Sequence, residues 1–153
     1  MKAALWYEKK DVRVEEIEEP KVVEGSVKIK VKWCGICGSD LHEYLGGPIF
    51  IPVGQPHALS GTTAPVVLGH EFSGEIVELG QGVTKFNIGD RVIVEPIVAC
   101  GKCPACMEGK YNLCSSLGFM DFVEVAVDLQ NILYFQRNLF IKFQMKCPMR
   151  MRL

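Results

Sequence analysis

The stretch VKIKVKW, from Val27 to Trp33, alternates apolar side chains with lysines. Because successive side chains of a β-strand point to opposite faces, the apolar residues would share one face and the lysines the other. The alternation predicts a half-buried strand whose core face carries Val27, Ile29, Val31 and Trp33. Such a strand needs neighbours that cover its apolar face, and the flanking sequence supplies them.

Four further segments are short, rich in β-branched residues and bounded by glycine turns. The turn signals are EGS at 24–26, GQG at 80–82 and NIGD at 87–90. Many short strands joined by glycine turns are typical of a Greek-key barrel or sandwich, whereas alternating strands and helices would indicate a parallel sheet. We therefore predict a mainly β fold with additional strands at 3–7, 12–17, 72–79 and 91–96.

Length and composition limit the classes of protein that the chain can represent. Its 153 residues, 48% hydrophobic, suffice for one domain with a core. The net charge of −1 lacks the basic excess that nucleic acid requires, so we expect no nucleic-acid partner. The N-terminal MKAALWYEKK lacks a signal-peptide apolar region, and no apolar run is as long as a membrane span. We expect a cytoplasmic protein without a membrane partner, whose seven cysteines stay reduced or bind metal.

Four of those cysteines form the run C-x2-C-x2-C-x7-C. Thiolates bind Zn2+ tetrahedrally at about 2.3 Å, and a short loop can wrap one ion with ligands at these spacings. Four unrelated buried cysteines would rarely produce two consecutive C-x2-C spacings. The run predicts a structural zinc site formed by Cys100, Cys103, Cys106 and Cys114.

A second set of metal-binding residue types is divided between CGICGSDLH, residues 34–42, and GHE, residues 69–71. Each motif alone is weak evidence. Together they offer a thiolate, an imidazole and a carboxylate, from Cys37, His70 and Glu71. This donor set suits a catalytic zinc ion that keeps one position open for substrate.

Other side chains near these motifs have less specific interpretations. Ser39 and His42 offer a hydroxyl and an imidazole that could pass a proton from a metal-bound alcohol to solvent, although a lone histidine such as His42 is more often structural. Cys34 is better interpreted as a small buried hydrophobic residue than as a ligand. His57 lies in a proline-rich loop, and we expect a solvated surface residue without a functional role.

The two sets of metal-binding residues, in the order in which they occur in the chain, resemble the catalytic domain of the zinc-dependent medium-chain alcohol dehydrogenase family. The resemblance covers about residues 1–120 and implies a GroES-like Greek-key barrel with a structural-zinc lobe at 96–116. Within the family, LHEYLGGPIFIPVGQPHALSGTTAPVVLGHEFSG, residues 41–74, most resembles the 2,3-butanediol dehydrogenases. Cys37 and His70 would then bind a catalytic zinc ion, with Glu71 as an adjacent carboxylate that coordinates in some members.

The same resemblance implies the chemistry of the site. Ser39 and His42 would form the proton relay, and Asp40 would orient a zinc ligand. Zinc would polarise an alcohol oxygen while hydride passes from carbon to NAD(P)+. The implied partner is a small-molecule alcohol or diol, and the parent enzyme would be a homo-oligomer.

The chain departs from the family pattern after residue 120. Its 153 residues contain no G-x-G-x-x-G fingerprint of a nucleotide-binding domain, and the family's remaining catalytic-zinc ligand cannot be assigned. All 15 glycines lie at or before Gly118. Where family members have a glycine-rich turn and a strand reading roughly GFAEY, the chain has DFVEVAVDLQNILYFQ from Asp121 onward.

The genetic code suggests an origin for this tail. When the third base of each codon is grouped with the first two bases of the next, the codons for Val127–Asn131 and the start of Ile132 can spell GFAEY. In the same displaced frame, Phe143–Arg150 can spell PDEMSYE, which the family places shortly after that strand. We expect 121–153 to be a non-native frameshift product, caused by loss of about one base near the Asp121 codon, with an early end to the reading frame. The alternative is a naturally divergent C-terminus.

These expectations describe an oxidoreductase of secondary alcohols or vicinal diols. We expect 2,3-butanediol or acetoin as the substrate, and a sorbitol- or threonine-dehydrogenase-type member is the alternative. We expect the 153-residue chain itself to be inactive and to leave barrel edges unpaired. A standalone zinc-binding GroES-like module without redox activity is the alternative from another class. That module would explain the four-cysteine run but not the second set of metal-binding residues, Cys37, His70 and Glu71. Zinc-free quinone reductases are disfavoured by the intact ligand motifs.

Overall fold

The computed structural model describes residues 1–119, 126–128 and 140–142, with only the backbone described at Phe119 and in the last two ranges. The helices in these residues are α1 (Gly38–Gly46), α2 (Pro104–Met107) and a 3-10 helix (Tyr111–Leu113). The strands are β1 (Lys2–Glu8), β2 (Asp11–Glu16), β3 (Ser26–Gly35), β4 (Val66–Val67), β5 (Glu71–Leu79), β6 (Arg91–Val94), β7 (Ile97–Val98), β8 (Gly118–Phe119), β9 (Ala126–Asp128) and β10 (Phe140–Lys142). The predicted mainly β fold is confirmed, and each predicted strand is present.

The largest sheet is five-stranded and antiparallel, in the order β10-β6-β5-β3-β9. Its centre is the long pairing of β3 with β5, which runs from Val27 opposite Leu79 to Gly35 opposite Glu71. Apolar residues of β3, β5 and β6 form one buried cluster, which consists of Val27, Ile29, Ile76, Val92 and Val94. Glycine allows the two strands to approach closely, because a Cβ at Gly74 would lie 2.6 Å from the Lys30 carbonyl oxygen.

The predicted burial of alternate apolar side chains in β3 holds only for the first half of the strand. Val27 and Ile29 are buried, but Val31 is 44% exposed and Trp33 is 71% exposed, so the prediction of one continuous core face is wrong. The pairing with β5 shifts between Val31 and Trp33, where β3 carries an extra residue. A bulge of this kind bends the strand and breaks the strict alternation of side chains. The bulge thus accounts for the loss of the predicted facing at Trp33.

A three-stranded sheet in the order β2-β1-β4 forms the other packed region. Trp6 of β1 is fully buried and packs with Ile51 and Val66. Ile51 belongs to the long connection between α1 and β4, so this connection packs on the sheet at Ile51. The third, two-stranded sheet pairs β7 with β8 and closes the cysteine-rich lobe between them.

The expectation of unpaired barrel edges stays a prediction, because the described strands form open sheets whose outer strands pair on one side within the described residues. Strand β9 pairs with residues 26–28 of β3, and β10 pairs with residues 92–94 of β6. The proposed frameshifted tail otherwise lies outside the described residues. Among the described helices, none combines the length and the apolar character that a membrane crossing needs.

Candidate metal centres

Helix α1 positions the first candidate ligand, Cys37, at its N-cap. The Cys37 backbone N–H donates to Asp40 Oδ2 at 2.8 Å, which forms one half of a capping box. The sequence analysis did not predict this helix. An acidic residue three positions after the cap, followed by LHEYL, is the signal that could have indicated it.

The GHE segment reaches the same place through the β3–β5 pairing. Because Gly35 pairs with Glu71 at one end of the antiparallel ladder, Cys37 and His70 both lie just beyond that same end. Gly69 is needed in this segment for two reasons. Its φ is +117°, and a Cβ there would lie 2.7 Å from Cys34 Sγ. Antiparallel pairing therefore brings together Cys37 and His70, which are 33 positions apart in the sequence.

The ligand atoms of Cys37, His70 and Glu71 all lie within 4.8 Å of one another. Cys37 and His70 are half-buried, whereas Glu71 is exposed, so the cluster opens to one side. Ser39 Oγ lies 3.1 Å from His70 Nε2, and Asp40 Oδ1 lies 3.5 Å from His70 Nδ1. A thiolate, an imidazole and a carboxylate at these separations fit a zinc ion with an open position.

Asp40 connects the two motifs, since one carboxylate oxygen accepts the Cys37 N–H and the other faces His70 Nδ1. A carboxylate beside Nδ1 favours the tautomer that is protonated there, which leaves Nε2 available as a metal ligand. Ser39 lies beside that same nitrogen. Ser39 is therefore placed next to the position that a metal-bound substrate oxygen would occupy.

Two residues of the CGICGSDLH motif stay outside the cluster. His42 is on the exposed side of α1, and no side-chain hydrogen bond of His42 is found within the described part of the chain. Cys34 is exposed, so the expectation that it is buried is wrong, although it is not among the clustered ligands. Partial burial and then the nearby Asp40 and Glu71 carboxylates raise the pKa of the Cys34 thiol.

The second candidate centre contains the four cysteines of the C-x2-C-x2-C-x7-C run. Their sulfur atoms all lie within 4.8 Å of one another, and Cys106 and Cys114 are buried. Backbone amides donate to sulfur in this loop, from Cys100 N–H to Cys114 Sγ at 3.3 Å and from Cys103 N–H to Cys100 Sγ at 3.4 Å. Tetrahedral zinc at about 2.3 Å from each sulfur separates the sulfurs by about 3.8 Å. The four cysteines therefore fit a zinc ion.

The surroundings shift the thiol pKa values in opposite directions. The N–H groups of Cys106 and Ser115 lower the pKa of Cys103 to about 6. Burial, followed by the hydrogen bond with Cys103, raises the pKa of Cys106 to about 12. The N–H groups of Lys102 and Cys103 lower the pKa of Cys100. A divalent cation would favour the thiolate form at every position, including the deeply buried Cys106.

His57 is not the solvated surface residue that the sequence analysis expected. It is half-buried, and its Nδ1 accepts N–H groups from Leu59 at 3.4 Å and from Ser60 at 3.3 Å. Its ring packs against Gly118 of β8, where a Cβ would lie 2.9 Å from Nδ1. His57 thus joins the α1–β4 connection to the cysteine lobe, a long-range contact that no local sequence signal indicates.

A cavity opens beside the Cys37–His70–Glu71 cluster. Its lining combines polar groups of α1 and the His70 imidazole with apolar side chains. The lining residues are Ser39, Asp40, Glu43, Phe50, Ile51, Leu68 and His70. The cavity can therefore present a hydroxyl to Ser39 and His70 while an alkyl group contacts the apolar side chains.

The alcohol dehydrogenase GroES-like domain family matches residues 23–137, which is most of the chain. This protein belongs to that family. The (R,R)-butanediol dehydrogenase of Bacillus subtilis is 63% identical over 120 residues, covering 78% of this chain and 34% of that enzyme. A sorbitol dehydrogenase of the same organism is 44% identical over 120 residues, covering 78% of this chain and 32% of the relative.

Solved structures of the family show the same fold. The crystal structure of 2R,3R-butanediol dehydrogenase from Bacillus subtilis superposes with a TM-score of 0.71 at 61% identity, covering 78% of this chain and 33% of that one. An alcohol dehydrogenase of Escherichia coli CFT073, complexed with NADH, gives a TM-score of 0.64 at 38% identity, covering 79% and 32%. The GroES-like fold is thereby confirmed. The chain spans about a third of the length of these relatives.

Proposed function

We propose that this domain is the zinc-binding part of a cytoplasmic NAD(P)-dependent dehydrogenase that oxidises a secondary alcohol or vicinal diol. The observation that carries the proposal is the convergence of Cys37, His70 and Glu71, with Ser39 Oγ 3.1 Å from His70 Nε2. A structural module would need only the four-cysteine lobe. The second cluster adds an open donor set beside a hydroxyl group, and this arrangement suits metal-assisted chemistry on an alcohol.

Within this proposal, a zinc ion held by Cys37, His70 and Glu71 would polarise the alcohol oxygen and lower its pKa. The Ser39 hydroxyl accepts the proton of the alcohol and passes on its own. His42, exposed three residues further along the same helix, would release that proton to solvent. Asp40 holds the Cys37 backbone and the His70 ring in place during the reaction. NAD(P)+, when bound, would supply the hydride acceptor for the substrate carbon, which would become a carbonyl carbon.

We assign 2,3-butanediol, or acetoin in the reverse direction, as the first substrate. Two relatives at 63% and 49% identity are (R,R)-butanediol dehydrogenases, from Bacillus subtilis and Neisseria gonorrhoeae. The apolar part of the cavity lining, Phe50, Ile51 and Leu68, suits a methyl group better than the hydroxyl groups of a polyol. Sorbitol is the second candidate, because sorbitol dehydrogenases also match.

We also propose that residues 121–153 are a frameshift product. The loss of glycine after Gly118 and the two displaced-frame readings, GFAEY and PDEMSYE, support this proposal. The (R,R)-butanediol dehydrogenase matches cover only 78% of the chain, whereas the family match extends to residue 137 and weighs against it. Sequencing the gene tests the proposal, which fails if the displaced frame does not continue into a nucleotide-binding domain.

The function is tested by a diol oxidation assay on the frame-restored enzyme, the protein encoded after the missing base is reinstated. We expect NAD(P)+-dependent oxidation of 2,3-butanediol with kcat/KM at least about tenfold above that for sorbitol, since a mismatch in an apolar pocket costs about 1–3 kcal/mol. A frame-restored enzyme that binds zinc only at the four-cysteine site and oxidises no alcohol would instead support a structural module.

A further inference from the structure

Glu43 is a buried carboxylate that the proposed chemistry does not use. It is 3% exposed and lies on α1, one turn beyond Ser39 and Asp40. A buried charge is costly unless hydrogen bonds compensate for its lost hydration. Its partners therefore indicate what the residue does.

The partners are three consecutive backbone N–H groups of the α1–β4 connection. Glu43 Oε2 accepts the Ile49 N–H at 2.9 Å, and Oε1 accepts the N–H groups of Phe50 and, at 3.1 Å, of Ile51. The side chains of Ile49 and Phe50 are 53% and 58% exposed, so their own burial does little to hold this segment. The carboxylate is thus a principal attachment of residues 49–51 to α1.

Neighbouring contacts fix the position of Glu43 itself. Its carbonyl oxygen accepts the Trp6 Nε1–H at 3.2 Å and the Gly47 N–H at 2.9 Å. A Cβ at Gly47 would overlap the Glu43 carbonyl, so glycine is required for this approach. The carboxylate is consequently directed from a rigid base, the buried Trp6 and the end of α1.

We propose that Glu43 is a positioning residue that holds residues 49–51 against α1 and thereby places Phe50 as a wall of the cavity beside Ser39 and His70. Helix α1 then carries two residues of the cavity. Ser39 supplies a polar group, and Glu43 holds the segment that contains the apolar Phe50. The consequence for substrate rests on the proposed function. Phe50, as a lining residue of the cavity, would then contact the alkyl substituent of a secondary alcohol and limit its length.

The attachment requires a carboxylate of this length. Glutamine has a single acceptor oxygen, and its NH2 group would oppose at least one of the backbone N–H groups. Aspartate keeps the charge but is one methylene shorter than the reach to residues 49–51 requires. Glu43→Gln and Glu43→Asp should therefore both release the segment, for different reasons.

Amide hydrogen exchange on the zinc-loaded 153-residue chain tests the attachment without any catalysis. In the wild type we expect the amides of Ile49 and Phe50 to be protected despite their exposed side chains. In Glu43→Gln and Glu43→Asp, these amides should exchange at least about tenfold faster, while those of Val27 and Ile76 in the main core stay protected. Glu16→Gln, at an exposed carboxylate, should leave all four unchanged.

Unprotected amides at Ile49 and Phe50 in the wild-type chain would overturn the proposal, even if both Glu43 variants fail to fold. Unchanged protection of these amides in a folded variant would overturn it equally.

The frame-restored enzyme tests the role in the cavity. Glu43→Gln should raise KM for 2,3-butanediol about tenfold and leave kcat within about threefold, because the zinc ligands and Ser39 are untouched. In the same variant, the ratio of kcat/KM for 2,3-butanediol to kcat/KM for sorbitol should fall. Equal loss of kcat for every alcohol would contradict positioning of Phe50. A wild-type enzyme that oxidises no alcohol would refute the proposed function, while the exchange data would still decide whether Glu43 holds the segment.

Discussion

Replacing Cys106 by serine is expected to unfold the cysteine lobe, residues 97–119. Cys106 is fully buried and its sulfur is one of the four clustered sulfur atoms, so we expect no solvent ligand to take its place. A structural zinc site contributes an apparent ~10–16 kcal/mol, which is comparable with the stability of a whole domain. We expect the variant to lose one zinc ion and several kcal/mol of unfolding free energy in the lobe.

Limited proteolysis and amide exchange across 97–119 measure this effect, and Cys34→Ser is the matched control. Cys34 is exposed and belongs to neither ligand cluster, so its replacement should leave zinc content and lobe protection unchanged. The β3–β5 core should remain protected in both variants, because its packing does not involve the lobe. A Cys106→Ser protein with normal lobe protection and normal zinc content would show that the four thiolates do not hold a structural ion.

Replacing His70 by alanine in the frame-restored enzyme is expected to reduce kcat/KM for diol oxidation by at least about 10^3, or about 4 kcal/mol. The change removes an imidazole ligand and also the partner of Ser39 Oγ and Asp40 Oδ1. Zinc content should fall by one ion per chain. The cysteine lobe should remain intact, because the two centres share no ligand.

His42→Gln separates loss of the metal from loss of the proton relay. It should keep both zinc ions but slow oxidation by about 10^2, with the greatest loss at low pH, where deprotonation of the alcohol most needs a relay. Steady-state kinetics and metal analysis on the same samples measure both quantities. If His70→Ala retained full activity, the Cys37–His70–Glu71 cluster would not be the catalytic centre.

The parts of the fold that follow from local patterns could be predicted from the sequence. The alternation in VKIKVKW located β3, and the C-x2-C spacings grouped the four cysteines, because both signals depend only on neighbouring residues. Cys37, His70 and Glu71 could be grouped as a candidate donor set. Their actual proximity depends on the register that pairs Gly35 with Glu71, which sequence spacing does not contain.

Features that depend on long-range contacts escaped prediction. The bulge in β3 exposes Trp33 although the alternation continues through it. The sequence predicts a solvated loop position for His57. The packing of His57 on Gly118 joins segments that are far apart in the chain, so no local pattern indicates it. Glu43 looks like an ordinary polar helix residue in the sequence. Only the fold shows that three backbone N–H groups surround its carboxylate.

The central claim is that the chain holds two zinc ions at two separate sets of ligands. Native mass spectrometry of the zinc-loaded 153-residue chain, together with Cys37→Ser and Cys106→Ser, tests this claim most directly. We expect two zinc ions in the wild type and one in each variant, with the ion retained by Cys37→Ser resisting chelators for longer than the ion retained by Cys106→Ser. A wild-type chain with a single ion that Cys37→Ser leaves in place would contradict the account, because the open cluster would then bind no metal.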